Sequence, residues 1–258
     1  MIKPSYDILG NIAIVKFQKN AKSKDKKIFA RNLMKSSKAI TTVLEKTGKF
    51  HGRLRKMKTK FISGEKTNEV LYHENGCVFR FNVNDTYFSP RLSNERSEIA
   101  RKIKKGDEVL VMFAGVAPYP IVIAKNSKAK HVYSNEINRK ANDYAKLNIG
   151  LNKVKDIVFL LPGDIKRVAA KLNEKFDVIV MPRPQLKDSF LKEAFSLSKK
   201  GTRVYYYDFC KEDEINSVKQ KILDEAGKAK KKIKIQGVKK AGEIAPYKYR
   251  IRADFSVL

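Results

Sequence analysis

The chain has 258 residues, with 56 Lys and Arg against 27 Asp and Glu, a formal charge of +29. A hydrophobic content of 42% with 14 Phe and 11 Tyr can fill a core and excludes global disorder. No apolar run approaches the roughly 20 residues of a bilayer span, and Met1 to Gly10 has no basic and apolar leader pattern, so the expectation is a cytoplasmic protein with no membrane association.

In chain order, Ile8 to Phe17 is strand-like and rich in β-branched residues. Ile28 to Lys46 has helical spacing, with Leu33, Ile40, Val43 and Leu44 near one face. Asn75-Gly76 is a turn signal, and Cys77 to Val83 behind it alternates apolar and polar residues as a half-buried strand does. Glu95 to Ile103 reads as a helix and Glu108 to Met112 as a buried strand. Apolar runs at residues 131–133, 157–161, 177–181 and 203–209 then alternate with helical stretches at 139–148, 165–172, 186–197 and 212–225. That alternation predicts a mostly parallel sheet with helices on both faces. The chain ends in two strand-like stretches, 232–236 and 247–255, which predict an antiparallel hairpin. The division expected is a small α+β domain over 1–88 and an α/β domain over 89–258.

The charge points to a polyanion. The first 80 residues hold 19 Lys and Arg against 6 Asp and Glu, so the excess is not confined to a tail. Glu does not rise with Lys as it does on thermophile surfaces, which favours nucleic acid as partner. Two cysteines, Cys77 and Cys210, are too few for a disulfide framework, and His51, His73 and His131 have no metal-ligand spacing. No metal is expected.

In a doubly wound sheet, ligands sit beyond the carboxyl ends of the strands. The first such end is Met112-Phe113-Ala114-Gly115-Val116-Ala117-Pro118-Tyr119, whose small residues permit close backbone approach. It has one glycine where a dinucleotide fingerprint needs three, and the chain has no P-loop. Ser134-Asn135-Glu136 ends the next strand and puts an acid 21 residues after Gly115, near the offset of a ribose-binding carboxylate. Pro162-Gly163-Asp164 ends the third and offers a carboxylate to an adenine amino group. A ribose site without a pyrophosphate cradle suits S-adenosylmethionine, although both acids also suit helix N-termini.

The run Tyr87-Phe88-Ser89-Pro90-Arg91-Leu92-Ser93-Asn94-Glu95-Arg96, the loop M-F-A-G-V-A-P-Y, N-E-I-N from Asn135 and L-N-K-V at Leu151–Val154 resemble the archaeal and eukaryotic tRNA guanosine-37 N1-methyltransferases. Their wyosine-biosynthesis relatives share these motifs. The likeness extends to residues 6–17, to His73-Glu74-Asn75-Gly76-Cys77 and to Ala245-Pro246-Tyr247-Lys248-Tyr249.

The resemblance implies a class I (Rossmann-like) methyltransferase domain behind a smaller RNA-binding domain, acting on the tRNA anticodon stem-loop; a monomer is expected. Many members carry a further front domain that senses the tRNA elbow; this sequence begins at about the second domain. Carried over by motif, Glu95 is the general base, Arg55 stands near the target base, and Tyr87 lines the same pocket. The cofactor positions are Tyr87, Phe88, Arg91, Met112, Phe113, Ala114, Gly115, Asn135, Glu136, Ile137, Gly163, Asp164 and Met181. The tRNA positions are Arg53, Arg55, Lys56, Arg91, Arg96 and Arg183.

The sequence departs from the family pattern at two places. Val111 stands where an acid is usual, and Met181-Pro182-Arg183-Pro184 replaces Asn-Leu-Pro. Pro182 offers an acceptor base only a backbone carbonyl. This variant is similar to the archaeal wyosine branch, where carbon-7 of 4-demethylwyosine in tRNA-Phe is an acceptor besides, or instead of, guanosine N1. A non-catalytic RNA-binding protein with a decayed site is the reading of another class.

Overall fold

The structure, a computed structural model, describes residues 4–48, 52, 54 and 56–258. The front of the chain folds as β1 (Ser5–Leu9), β2 (Ile12–Lys16), α1 (Ser23–Ser36), β3 (Thr42–Lys46) and β4 (Thr59–Gly64). These strands form one sheet in the order β1-β2-β3-β4, antiparallel except for the β2–β3 pair. Ala13, Val15 and Val43 point from one face into a core with Ala30 and Leu33 of α1, while Ile12, Ile14 and Leu44 point from the other toward the rest of the molecule.

Two expectations for this region are corrected. The strand expected over residues 8–17 is a hairpin, because Gly10 at φ 55° with Asn11 turns the chain between β1 and β2. The helix expected over 28–46 ends at Ser36, and Val43 and Leu44 lie in β3. Ile40-Thr41-Thr42-Val43 is a β-branched run, which suits a strand better than a helix.

A separate hairpin follows, β5 (Glu69–Glu74) and β6 (Cys77–Asn82), turned by Asn75 and Gly76 at φ 49° and 71°. After a 3-10 turn at Pro90–Leu92 come α2 (Ser93–Lys102), β7 (Glu108–Met112), α3 (Pro118–Asn126), β8 (His131–Glu136), α4 (Arg139–Leu151) and β9 (Val158–Pro162). The chain continues through α5 (Ile165–Ala169), β10 (Phe176–Met181), α6 (Leu191–Ser196), β11 (Ser198–Lys211), α7 (Ile215–Lys228), β12 (Ile233–Ala245) and β13 (Lys248–Val257).

The large sheet has the order β12-β13-β11-β10-β7-β8-β9. The pairs from β11 through β9 are parallel, and β13 is antiparallel to both its neighbours. The order reverses at β7 and β10, so the loops leaving these strands diverge and open a crevice at their carboxyl ends. Alternate strand residues serve opposite cores. Val109, Val111, Val178, Val180 and Tyr207 share one with Ile99, Ile121 and Ala145; Leu110, Met112, Ile179, Met181 and Tyr206 share the other with Leu191, Phe195 and Ile222. Helices therefore cover both faces, as expected, and the predicted terminal hairpin is β12–β13. Among the described residues no helix is long and apolar enough to cross a membrane.

The β5–β6 hairpin is fastened to α4 by side chains acting as a strand. Asn148 accepts from Arg80 N–H at 2.7 Å and donates to Arg80 C=O at 3.1 Å; Asn152 accepts from Val78 N–H at 2.9 Å and donates to Val78 C=O at 2.6 Å. Four residues of helix rise about 6 Å and two of strand about 6.6 Å, so the two amides match the repeat of β6.

Candidate active site

The crevice is a cavity of about 1120 Å³, counting its open mouth. Its floor is the loop after β7, where Phe113, Gly115 and Ala117 all have positive φ, at 59°, 58° and 67°. A side chain in this left-handed region costs roughly 1–2 kcal/mol, so Phe113 and Ala117 are held there by their surroundings. Glu136 at the end of β8 does much of that holding. Its Oε2 accepts from Gly115 N–H at 2.9 Å and its Oε1 from Asn138 N–H at 2.7 Å. Burial pushes the Glu136 carboxyl above the ordinary carboxylate range, against the pull of the Asn138, Gly115 and Ile137 N–H groups.

Asn135 ties the neighbouring loop down, donating to Leu161 C=O at 2.8 Å and to Gly163 C=O at 3.1 Å. Asp164 caps α5 by accepting from Lys166 N–H at 3.1 Å. Phe113 and Phe190 meet edge to face, 4.9 Å between ring centroids, and form an apolar wall. The cavity thus presents a half-buried carboxylate, two positive-φ glycine loops at Gly115 and Gly163, and aromatic edges. This donor set fits a nucleoside with an amino-acid arm, and nothing in the three loops forms a pyrophosphate cradle.

The cavity brings together most of the residues singled out in the sequence. Tyr87, Phe88, Phe113, Ala114, Gly115, Asn135, Glu136, Ile137, Gly163, Asp164 and Pro182 all line it. Met112 and Met181 do not; strand alternation points both into the core under α5–α7, where each is fully buried. Arg91 is exposed, away from the cavity, and pairs with Asp7 at 3.2 Å.

Arg96 and Arg183 do line the cavity, but neither is a surface cation poised for phosphate. Arg96 is buried in a two-pronged pair with Glu74 and also donates to Ser89 C=O at 3.0 Å. Arg183 pairs with Asp208 and donates to the carbonyls of Pro184, Leu186 and Asp188 at 3.1–3.2 Å, which fixes the loop after β10. Lys56 is partly exposed, 3.9 Å from Asp85. Arg53 and Arg55 lie outside the described residues; Leu54 between them lines the cavity.

Glu95 is placed differently from its expected position at the target base. It is absent from the cavity lining and 7% exposed. Its Oε2 accepts from Tyr207 Oη at 2.8 Å and Arg252 Nη1 at 2.7 Å, and its Oε1 faces Lys239 Nζ at 2.7 Å. The side chains that do form this part of the wall are Tyr119 and Tyr207, with Phe209 and Arg250 beside them. The sequence reading missed these four. Tyr119 was within its reach, being the last residue of the M-F-A-G-V-A-P-Y loop.

A seven-stranded sheet of this order with one antiparallel strand, and a carboxylate-braced loop at the end of a strand at its reversal point, is the framework of a class I methyltransferase. The model of the TRM5/TYW2 methyltransferase domain matches residues 70–236, and that of the TYW2 N-terminal domain matches residues 1–67. The chain belongs to the TRM5/TYW2 methyltransferase family. It is 35% identical over 254 residues to a tRNA (guanine(37)-N(1))-methyltransferase, Trm5b, of Pyrococcus abyssi, covering 98% of this chain and 74% of the relative. It is 32% identical to Taw22 of Nanoarchaeum equitans, a tRNA (guanine(37)-N(1))/4-demethylwyosine(37)-methyltransferase, covering 98% of this chain and 100% of the relative. Among solved structures, Trm5b of Pyrococcus abyssi superposes with a TM-score of 0.87 at 33% identity, over 98% of this chain and 74% of that one. A complex of aTrm5 with tRNALeu superposes with a TM-score of 0.84 at 26% identity, over 98% and 72%.

Proposed function

We propose that this chain transfers the methyl group of S-adenosylmethionine to the base at position 37 of tRNA, forming 1-methylguanosine, and that it also methylates C7 of 4-demethylwyosine. The observation that carries the proposal is the cavity itself: a Glu136-braced loop at the sheet's reversal point, in a chain similar along nearly its whole length to enzymes of both names. When bound, the cofactor supplies a methyl group made electrophilic by its sulfonium.

The chain's residues bind, orient and deprotonate. Glu136 presents its carboxylate to the ribose hydroxyls and Asp164 to the adenine amino group, with Phe113 and Phe190 against the planar base. An acceptor base leaves its stack to enter and meets Tyr87, Phe88 and the Pro182 carbonyl. N1 of guanine must lose its proton as it attacks, and Glu95 is the proton's destination. Arg55 offsets negative charge developing on O6. Arg53, Lys56 and Arg91 contact the anticodon stem-loop, and the small domain over 1–88 extends that contact. The second acceptor is favoured by Pro182, which has no amide side chain to grip the N1 edge, and by the likeness to the bifunctional relative.

Mass spectrometry of nucleosides after incubation with tRNA carrying guanosine-37, and with tRNA carrying 4-demethylwyosine-37, tests both parts. The expected result is 1-methylguanosine in the first and a methylated tricycle in the second. A first tRNA that stays unmodified, with cofactor bound, overturns the principal reading; an unmodified second tRNA removes only the second acceptor.

A further inference from the structure

Three side-chain oxygens, two of them on residues that line the cavity, are linked in single file. Tyr119 in the first turn of α3 and Tyr207 on β11 both line the cavity and are 2% and 0% exposed. Tyr119 Oη donates to Tyr207 Oη at 3.0 Å, and Tyr207 Oη donates to Glu95 Oε2 at 2.8 Å. The directions are forced by chemistry. A carboxylate only accepts, so Tyr207 spends its one proton on Glu95, and its oxygen can then only accept from Tyr119.

We propose that Tyr119 and Tyr207 relay the proton of the acceptor base to Glu95, which lies one residue behind the wall. The relay rests on methyl transfer to guanosine N1. As the new N1–carbon bond forms, the carbon–sulfur pair stays with sulfur, which becomes a neutral thioether. The N1–H bond breaks and leaves its pair on the ring; that proton goes to Tyr119, the Tyr119 proton to Tyr207, and the Tyr207 proton to Glu95. Each tyrosine ends neutral, and Glu95 ends as the acid.

The surroundings favour passage over direct contact. Burial pushes Tyr119 up to about 12 and Tyr207 well above the ordinary phenol range, so both keep the proton that a relay needs and neither serves as the base. Both spacings lie within the reach of proton transfer. For Glu95 to enter the cavity itself, it would have to leave Arg252, Lys239 and the Tyr207 hydroxyl. Arg252 also holds Glu98 and Asp254, so β12 and β13 fix the carboxylate from behind.

The test is single-turnover methylation of guanosine-37 tRNA by Tyr119→Phe, Tyr207→Phe, Glu95→Gln and the Y207F/E95Q double variant, with cofactor affinity measured by calorimetry in each. Each single variant is expected to slow the chemical step on the order of 100-fold or more with cofactor affinity unchanged. The double is expected to be no slower than the slower single, because one broken link already stops the chain. Parental rate in either Phe variant, or losses that multiply in the double, overturns the relay. Should a Phe variant fail to fold, the parent's rate in mixtures of light and heavy water decides. A bowed dependence shows several protons in flight, and a straight line shows one and overturns the relay. A parent that makes no 1-methylguanosine removes the reading of function and the relay with it; a parent that does, with either contrary result, removes the relay alone.

Discussion

Glu136 does two things that compete. As a brace it binds the Gly115 and Asn138 amides, and as a cavity group it stands half-buried with its charge only partly compensated. That tension is common at binding sites, where a group is kept costly so that a ligand can satisfy it. Glu136→Ala is expected to weaken S-adenosylmethionine binding at least about tenfold, roughly 1.4 kcal/mol, as read by titration calorimetry; unchanged affinity would move the ribose site elsewhere. Arg96 and Glu74 illustrate the opposite case, a fully paired charge in the wall with side chains 2% and 3% exposed. Glu74→Ala leaves the guanidinium buried and uncompensated, so unfolding free energy in urea should fall by about 3–5 kcal/mol. A loss below about 1 kcal/mol would mean that the pair is not buried in solution.

Between elements, polar contacts do work that apolar packing cannot, because they specify register. Asn148 is fully buried and serves Arg80 and Val116 at once. Asn148→Ala strands three backbone groups, and the expected cost is about 2–4 kcal/mol, with the melting temperature falling accordingly; a melting curve that does not move refutes the fastening. The pairing of α2 with the C-terminal hairpin carries a pH signature. Burial raises the Glu98 carboxyl, but hydrogen bonds and charge from Arg252 and Lys239 outweigh it and hold it down at about 2. A lowered carboxyl contributes stability in full above its unfolded value near 4.5 and loses it as pH falls toward 2. Glu98→Gln should therefore flatten the acid limb of stability between about pH 5 and 2, measured by urea midpoints across that range. An unchanged limb would show the pair to be solvated.

For the molecule as a whole the charge of +29 favours encounter with a polyanion such as RNA. If the contact neutralises six to ten phosphates, raising salt from about 50 to 200 mM should weaken tRNA binding by roughly 10³–10⁵, read by anisotropy. A flat salt dependence would locate recognition in base contacts alone. Two of the arginines that the resemblance enlists for this surface, Arg96 and Arg183, are engaged inside with Glu74 and Asp208. Composition counts charges and cannot tell a phosphate clamp from an internal strut.

The primary structure by itself determined the strand-and-helix alternation, the antiparallel end and the three loops that meet at the cavity, because each is local: a hydrophobic period, a turn, a short motif at a strand's end. Its errors in secondary structure were local too. It ran α1 into β3 across a β-branched stretch, and it read the Gly10-Asn11 turn as part of a strand. The tertiary structure alone decided which face each strand residue serves. Met112 and Met181 turn into the core, Tyr206 goes to one side and Tyr207 to the other, and Glu95 on α2 meets Arg252, 157 residues later, behind the cavity wall. Such contacts depend on how sheets and helices stack in space, and no spacing along the chain encodes that.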